Sequence, residues 1–86
     1  MDVNGVLGRV NEIIAREFEV ALGEVVPAAR LREDLHLDSL DGLDLVVALE
    51  AEFAIRLDDK AVKRLKTVGE IHEYVRETFT QQAPQT

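Results

Sequence analysis

Residues 31–53 read LREDLHLDSLDGLDLVVALEAEF, and this stretch decides the architecture. Asp38 stands directly before Ser39 and Leu40, with Asp41 three residues further on. That is the spacing at which a helix cap and the third helical residue exchange hydrogen bonds. Carboxylates at that end also complement the positive pole of the helix dipole. A helix is therefore expected to start at Ser39. Its inward stripe is read as Leu40, Leu43, Val46, Val47, Ala51 and either Phe53 or Ala54, leaving Asp41, Asp44 and Glu52 outside.

Three further helical patterns flank this one. Upstream, Val3, Val6, Leu7, Val10, Ile13, Ile14 and Phe18 recur at three- and four-residue spacing, which predicts a helix over 3–18 with Asp2 or Asn4 as its cap. Gly23 and Pro27 punctuate a long connection, about 20–37, whose Val25, Val26, Leu31, Leu35 and Leu37 are apolar enough to pack. A connection of that length needs structure of its own, and a short helical turn is expected at 28–33. Downstream, residues 55–57 break the pattern and Asp58 or Asp59 caps a short helix over 59–65, with Ala61, Val62 and Leu65 inward. Thr67-Val68-Gly69-Glu70 has the form of a capping box and opens a last helix carrying Val68, Ile71, Val75 and Phe79. No strand is expected. The fold class is all-α: a small four-helix bundle with a short third helix and a long connection between helices 1 and 2. One domain over 1–80 and a frayed polar tail over 81–86 complete the organisation.

Composition limits what such a chain can do. Eighty-six residues, 47% apolar and 31% charged, suit a single globular domain with an aliphatic core. The absence of cysteine excludes disulfides, a thiol nucleophile and Cys-ligated metal. A net charge of −7 argues against nucleic acid or an anionic membrane surface as the main partner. No apolar run has membrane-spanning length and no secretory signal is visible, so a cytoplasmic monomer is expected. The charge is uneven. Asp38, Asp41, Asp44, Glu50 and Glu52 form an acidic block without a Lys or Arg, whereas Arg56, Lys60, Lys63, Arg64 and Lys66 make the next stretch basic. An acidic block of this density is either a solvated face or a docking strip for basic partners.

Three metal-binding or catalytic readings fail on spacing. Aligning Gly42 with the glycine of a calcium loop puts Leu37 and Ala48 where carboxylate ligands are required. His36, Asp38 and Ser39 supply the residue types of a hydrolase triad, but neighbours in sequence lack its geometry and no Gly-x-Ser-x-Gly is present. His36 and His72 have no zinc-type spacing. Ser39 nevertheless opens a helix, where free N–H groups and the dipole favour an attached phosphate. A plain capping role is the competing account, weakened because Asp38 can fill it.

The run Leu35-His36-Leu37-Asp38-Ser39-Leu40-Asp41, followed by Leu43 to Phe53, closely resembles the acyl carrier proteins. Leu31-Arg32-Glu33-Asp34-Leu35, Thr67-Val68-Gly69-Glu70-Ile71 and Tyr74-Val75 extend the similarity over most of residues 3–79. The resemblance implies that Ser39 is the attachment point of 4′-phosphopantetheine, added from coenzyme A by a phosphopantetheinyl transferase. It implies a carrier without catalysis of its own, holding acyl groups as thioesters for enzymes of fatty-acid, specialised lipid or polyketide synthesis. Basic patches on those enzymes would meet Asp38, Leu40, Asp41, Asp44, Glu50 and Glu52. An acyl cavity would be lined by Val46, Leu49, Phe53, Leu65, Ile71 and Val75, which are equally ordinary core positions.

Some residues depart from the family pattern. His36 stands where many members have glycine, Gly42 sits inside the second helix, Ala51 replaces a common acid and Asp58 a common proline. The basic stretch around helix 3 is unlike the usual acidic one, so a specialised carrier fits as well as a housekeeping one. A peptidyl or aminoacyl carrier is the nearest alternative, and an unmodified helical interaction module is the alternative of another class.

Overall fold

The computed structural model describes residues 3–82, the side chains of Val3, Asn4, Ser39 and Gln82 excepted. Four helices make the bundle: α1 (Val3–Phe18), α2 (Ser39–Phe53), α3 (Asp59–Lys63) and α4 (Val68–Gln82). The all-α expectation holds. The proposed Asp2 and Asn4 caps, the inward placement of Val3 and the fraying of 83–86 lie outside the described residues. Two ends differ from the reading: α3 stops at Lys63 rather than 65, and α4 runs on through Gln82.

Alternation of apolar and polar residues reads correctly in α1, where Val6, Val10, Ile13 and Ile14 are almost fully buried. In α2 it reads correctly at Val46 and Phe53 only. The buried face there is Leu45, Val46, Leu49 and Phe53, while Leu40, Leu43, Val47, Ala51 and Ala54 are exposed. Apolar side chains occur all round this helix, so several rotations bury a hydrophobic stripe equally well and spacing alone does not choose among them. Packing decides. Phe53 meets the ring of Phe79 edge-on, with centroids 6.1 Å apart, joining the C-terminal ends of α2 and α4. Val68, Ile71 and Val75 of α4 complete the core, and His72 Nε2 lies 2.6 Å from Asn11 Oδ1 between α4 and α1.

The long connection contains a 3₁₀ turn at Leu22–Glu24, and the turn expected at 28–33 lies slightly later, where Asp34 N–H donates to Arg30 O (2.9 Å). Val25, Ala29, Leu35 and Leu37 are buried, whereas Val26 is exposed, against expectation. What orders this segment is backbone pairing. Leu31 N–H donates to Lys66 O (2.8 Å), Val68 N–H to Ala29 O (3.0 Å) and Gly69 N–H to Pro27 O (2.9 Å). Residues 27–31 are thus fastened to the start of α4, satisfying donors that a helix N-terminus leaves open. A Cβ on Gly69 would lie 3.1 Å from Pro27 O, so glycine permits that approach.

The Thr67–Glu70 box forms with a shift. Glu70 N–H donates to Thr67 Oγ1 (3.2 Å), but the returning bond to Glu70 Oε1 comes from Lys66 N–H (3.3 Å). Thr67 also stands opposite Arg30 in a single antiparallel bridge, whose hydrogen bonds run through the neighbouring residues. Between α2 and α3, Leu57 N–H donates to Glu50 Oε2 (2.8 Å) and Asp58 N–H to Tyr74 Oη (2.9 Å). These bonds hold α3 in place beside the first turns of α2.

Candidate functional site

Ser39 is the first residue of α2, one position inside the cap. Asp38, in extended backbone, accepts on Oδ1 from Leu40 N–H (2.9 Å) and Asp41 N–H (3.0 Å), while Asp41 Oδ2 accepts from Asp38 N–H (2.9 Å). The expected capping box is present. Its consequence is twofold. Capping does not require Ser39, and the N–H groups of Leu40 and Asp41 are already taken, so they are not open to a phosphate as the sequence suggested. The reach of the Ser39 hydroxyl lies outside the described residues.

The same bonds hold the Asp38 carboxyl below its ordinary range, with the N–H of Asp41 the largest cause. Asp38→Ala is expected to destabilise the fold at neutral pH, as for other lost N-caps. A carboxyl depressed in the folded state stabilises above its unfolded value and loses that contribution as pH falls through the folded one. The gap between wild type and Asp38→Ala in urea unfolding should therefore narrow in acid. A constant gap would show that the charge contributes nothing.

Two residues upstream of the cap, His36 has φ 59°, the left-handed region glycine enters freely. The departure from glycine noted at this position thus places a histidine in a conformation costing roughly 1–2 kcal/mol. Leu37, buried next to it, anchors the turn into Asp38.

The acidic block divides by use. Asp38 and Asp41 are exposed or half-exposed but bonded in the cap. Glu50 is half-buried and spent on Leu57 N–H. Glu52 pairs with Arg9 of α1 at 3.0 Å, which lowers its carboxyl range. Asp44 is exposed, and no salt bridge among the described residues involves it. Along the same outer side of α2 stand Leu40 (69% exposed), Leu43 (36%) and Val47 (66%). The helix that sequence reading faced inward at these positions instead shows solvent an apolar strip interrupted by Asp41 and Asp44.

Beside the start of α2 opens a groove of about 810 Å³. Leu31, Leu37, Leu45, Val62 and Leu65 form its apolar lining, with Asp38 and Gly42 at its α2 side. Of the residues proposed to line an acyl cavity, only Leu65 lies on this groove. Val46, Leu49, Phe53, Ile71 and Val75 are buried, four of them in the continuous core. Sequence reading missed Leu31, Leu37, Leu45 and the Arg30–Lys66 surroundings as a site, although the Leu31–Leu35 segment was visible as part of the family pattern. Gly42, three residues on from Ser39, has no atom within 4 Å of where a Cβ would stand, so the approach to the groove is open.

Comparison with known proteins agrees with this geometry. Residues 8–75 match the family model described as the phosphopantetheine attachment site. The chain is 37% identical over 75 residues to the acyl carrier protein of Thermosynechococcus vestitus, covering 87% of this chain and 93% of that one. Its fold matches the solved acyl carrier protein from Enterococcus faecalis with a TM-score of 0.74 at 28% identity, covering 91% of this chain and 99% of that chain.

Proposed function

The chain belongs to the acyl carrier protein family with its phosphopantetheine attachment site, and on that premise we propose that Ser39 receives the 4′-phosphopantetheine arm. Its function is that of a carrier, and its partners are a phosphopantetheinyl transferase and enzymes that process acyl groups. When bound, the arm supplies the terminal thiol that a cysteine-free chain lacks. Such carriers are generally not catalytic, and we read this chain as having no reaction of its own.

The observation that carries the assignment is the Asp38–Asp41 box, which frees Ser39 from capping and sets it at the first position of α2 beside an apolar groove. Ser39 offers its hydroxyl, Asp38 keeps the helix start rigid, and Gly42 leaves the way to the groove clear. Intact mass tests it. Incubation with a broad-specificity transferase and coenzyme A should add one arm per chain; no gain, while a control carrier is loaded, overturns the reading.

Docking is assigned to the outer strip of α2, with Leu40, Leu43 and Val47 as apolar contacts and Asp44 as the free charge. Asp38, Asp41, Glu50 and Glu52 add field, but each also holds a structural bond. Asp44→Lys therefore isolates steering from folding better than any change at Asp41. It should slow acyl transfer to a partner several-fold at low salt and little at high salt, because exposed charges are screened. An equal rate at low salt would leave Asp44 merely solvated. The chain is read as one working domain over 1–80 and as a cytoplasmic monomer; among the described residues no helix is long and apolar enough to cross a membrane.

A further inference from the structure

We propose that the acyl group carried by this protein is anionic, a short aliphatic chain ending in a carboxylate or similar negative group, and that the groove beside Ser39 selects it. This rests on arm attachment at Ser39 and adds the chemistry of the cargo.

The groove joins two features. Its lining is apolar, with Leu37, Leu45 and Val62 buried and Leu31 and Leu65 half-buried. Its rim is cationic, carrying the exposed side chains of Arg30, Arg32, Lys63, Arg64 and Lys66. Half of the ten basic residues of a chain with net charge −7 thus converge on one cleft. They come from two segments that the Leu31 N–H to Lys66 O bond holds together.

Among the described residues Lys63, Arg64 and Lys66 have no acidic partner, whereas Arg32 acts through space on the Asp38 carboxylate. Arg30 is committed to Asp34 at 3.3 Å and to Glu33 at 3.8 Å. Among the described residues, no carboxylate lies within 4 Å of the charged groups of Arg32, Lys63, Arg64 or Lys66. Glu33, Asp38 and Glu70 line the same groove and keep their charge, Asp38 while capping α2 and Glu70 while accepting from Lys66 N–H, so five cations against three acids leave the lining net positive. An occupant that buries methylenes on the floor and presents a negative group to the rim satisfies both features. A neutral chain uses only the first. An acidic patch on a partner protein would use only the second and would have no need of the cleft.

Hexanoyl and adipoyl forms provide the test, since they share the arm, its phosphate and the number of acyl carbons and differ in one terminal carboxylate. Both are loaded from their coenzyme A thioesters and checked by mass. At low salt the adipoyl form is expected to melt several degrees above the hexanoyl form, with larger shifts of the Gly42, Val62 and Leu65 amide resonances. The difference should shrink at about 0.5 M salt and vanish in the double variant Lys63→Gln, Arg64→Gln. Equal melting and equal shifts of the two loaded forms, a higher melting hexanoyl form, or a difference that survives in the double variant overturns the cargo assignment and leaves attachment standing. So does a double variant that slows transfer to an enzyme while the free acylated forms behave as wild type, which would give the cations to an acidic partner. Failure of both forms to load, with an active transferase, overturns attachment and cargo together.

Discussion

Ser39→Ala is expected to abolish the gain of mass on incubation with transferase and coenzyme A completely, while leaving the helical circular dichroism unchanged. The two halves of this result have separate causes. Attachment needs a hydroxyl, and alanine has none, so the loss is total rather than graded. Helix α2, by contrast, is started by Asp38, whose carboxylate already satisfies Leu40 and Asp41 N–H. Alanine at the following position keeps the cap and has good helix propensity, so stability should stay within about 0.5 kcal/mol. A variant that unfolds would make Ser39 structural. One that still gains an arm would place the attachment elsewhere.

What the sequence revealed follows from where physical information is local. Capping at Asp38 and Asp58 was readable because a short acid before a helix start bonds N–H groups two or three residues away. The span of α1 was readable because one face is apolar and the other is not. Helix α2 gave its limits but not its rotation, because Leu40, Leu43 and Val47 are as hydrophobic as the residues that win the core. That error matters for function, since the misread face is the one now assigned to docking. The pairing of residues 27–31 with the start of α4 uses backbone groups alone and leaves no mark in residue type. The left-handed His36 and Ala54 were hidden for a related reason, as neither carries the glycine that advertises such a conformation.

The site was half legible on the same grounds. Ser39 and its acidic neighbours lie in one contiguous segment. The groove does not: its lining comes from the connection, from α2, from α3 and the link after it, and from the start of α4, brought together only by folding. Hydrophobic candidates chosen as inward residues therefore landed in the closed core, because a position that faces inward in a small bundle is ordinarily packed. Lys63, Arg64 and Lys66 stood out as an unusual basic run, yet only the fold joins them to Arg30 and Arg32.

Leu49→Ala and Val47→Ala separate the two rotations of α2 by stability alone. Leu49 is 1% exposed within the continuous core, and truncating such a leucine costs about 2–5 kcal/mol through lost transfer energy and the cavity left behind. Small domains have a total stability of about 5–15 kcal/mol, so this single change should remove a large share of it and lower the urea midpoint steeply. Val47, two residues away and 66% exposed, has little packing to lose, and its alanine variant should stay within about 0.5 kcal/mol. The reverse ranking would turn the helix back to the stripe of Leu40, Leu43 and Val47 and dissolve the docking strip with it. If instead both variants remain as stable as wild type but Val47→Ala slows transfer to partner enzymes, the core around Leu49 is softer than its burial implies. The outer face would still be the one that partners touch. Stability and transfer measured on the same pair of variants therefore assign each side of α2 to packing or to recognition.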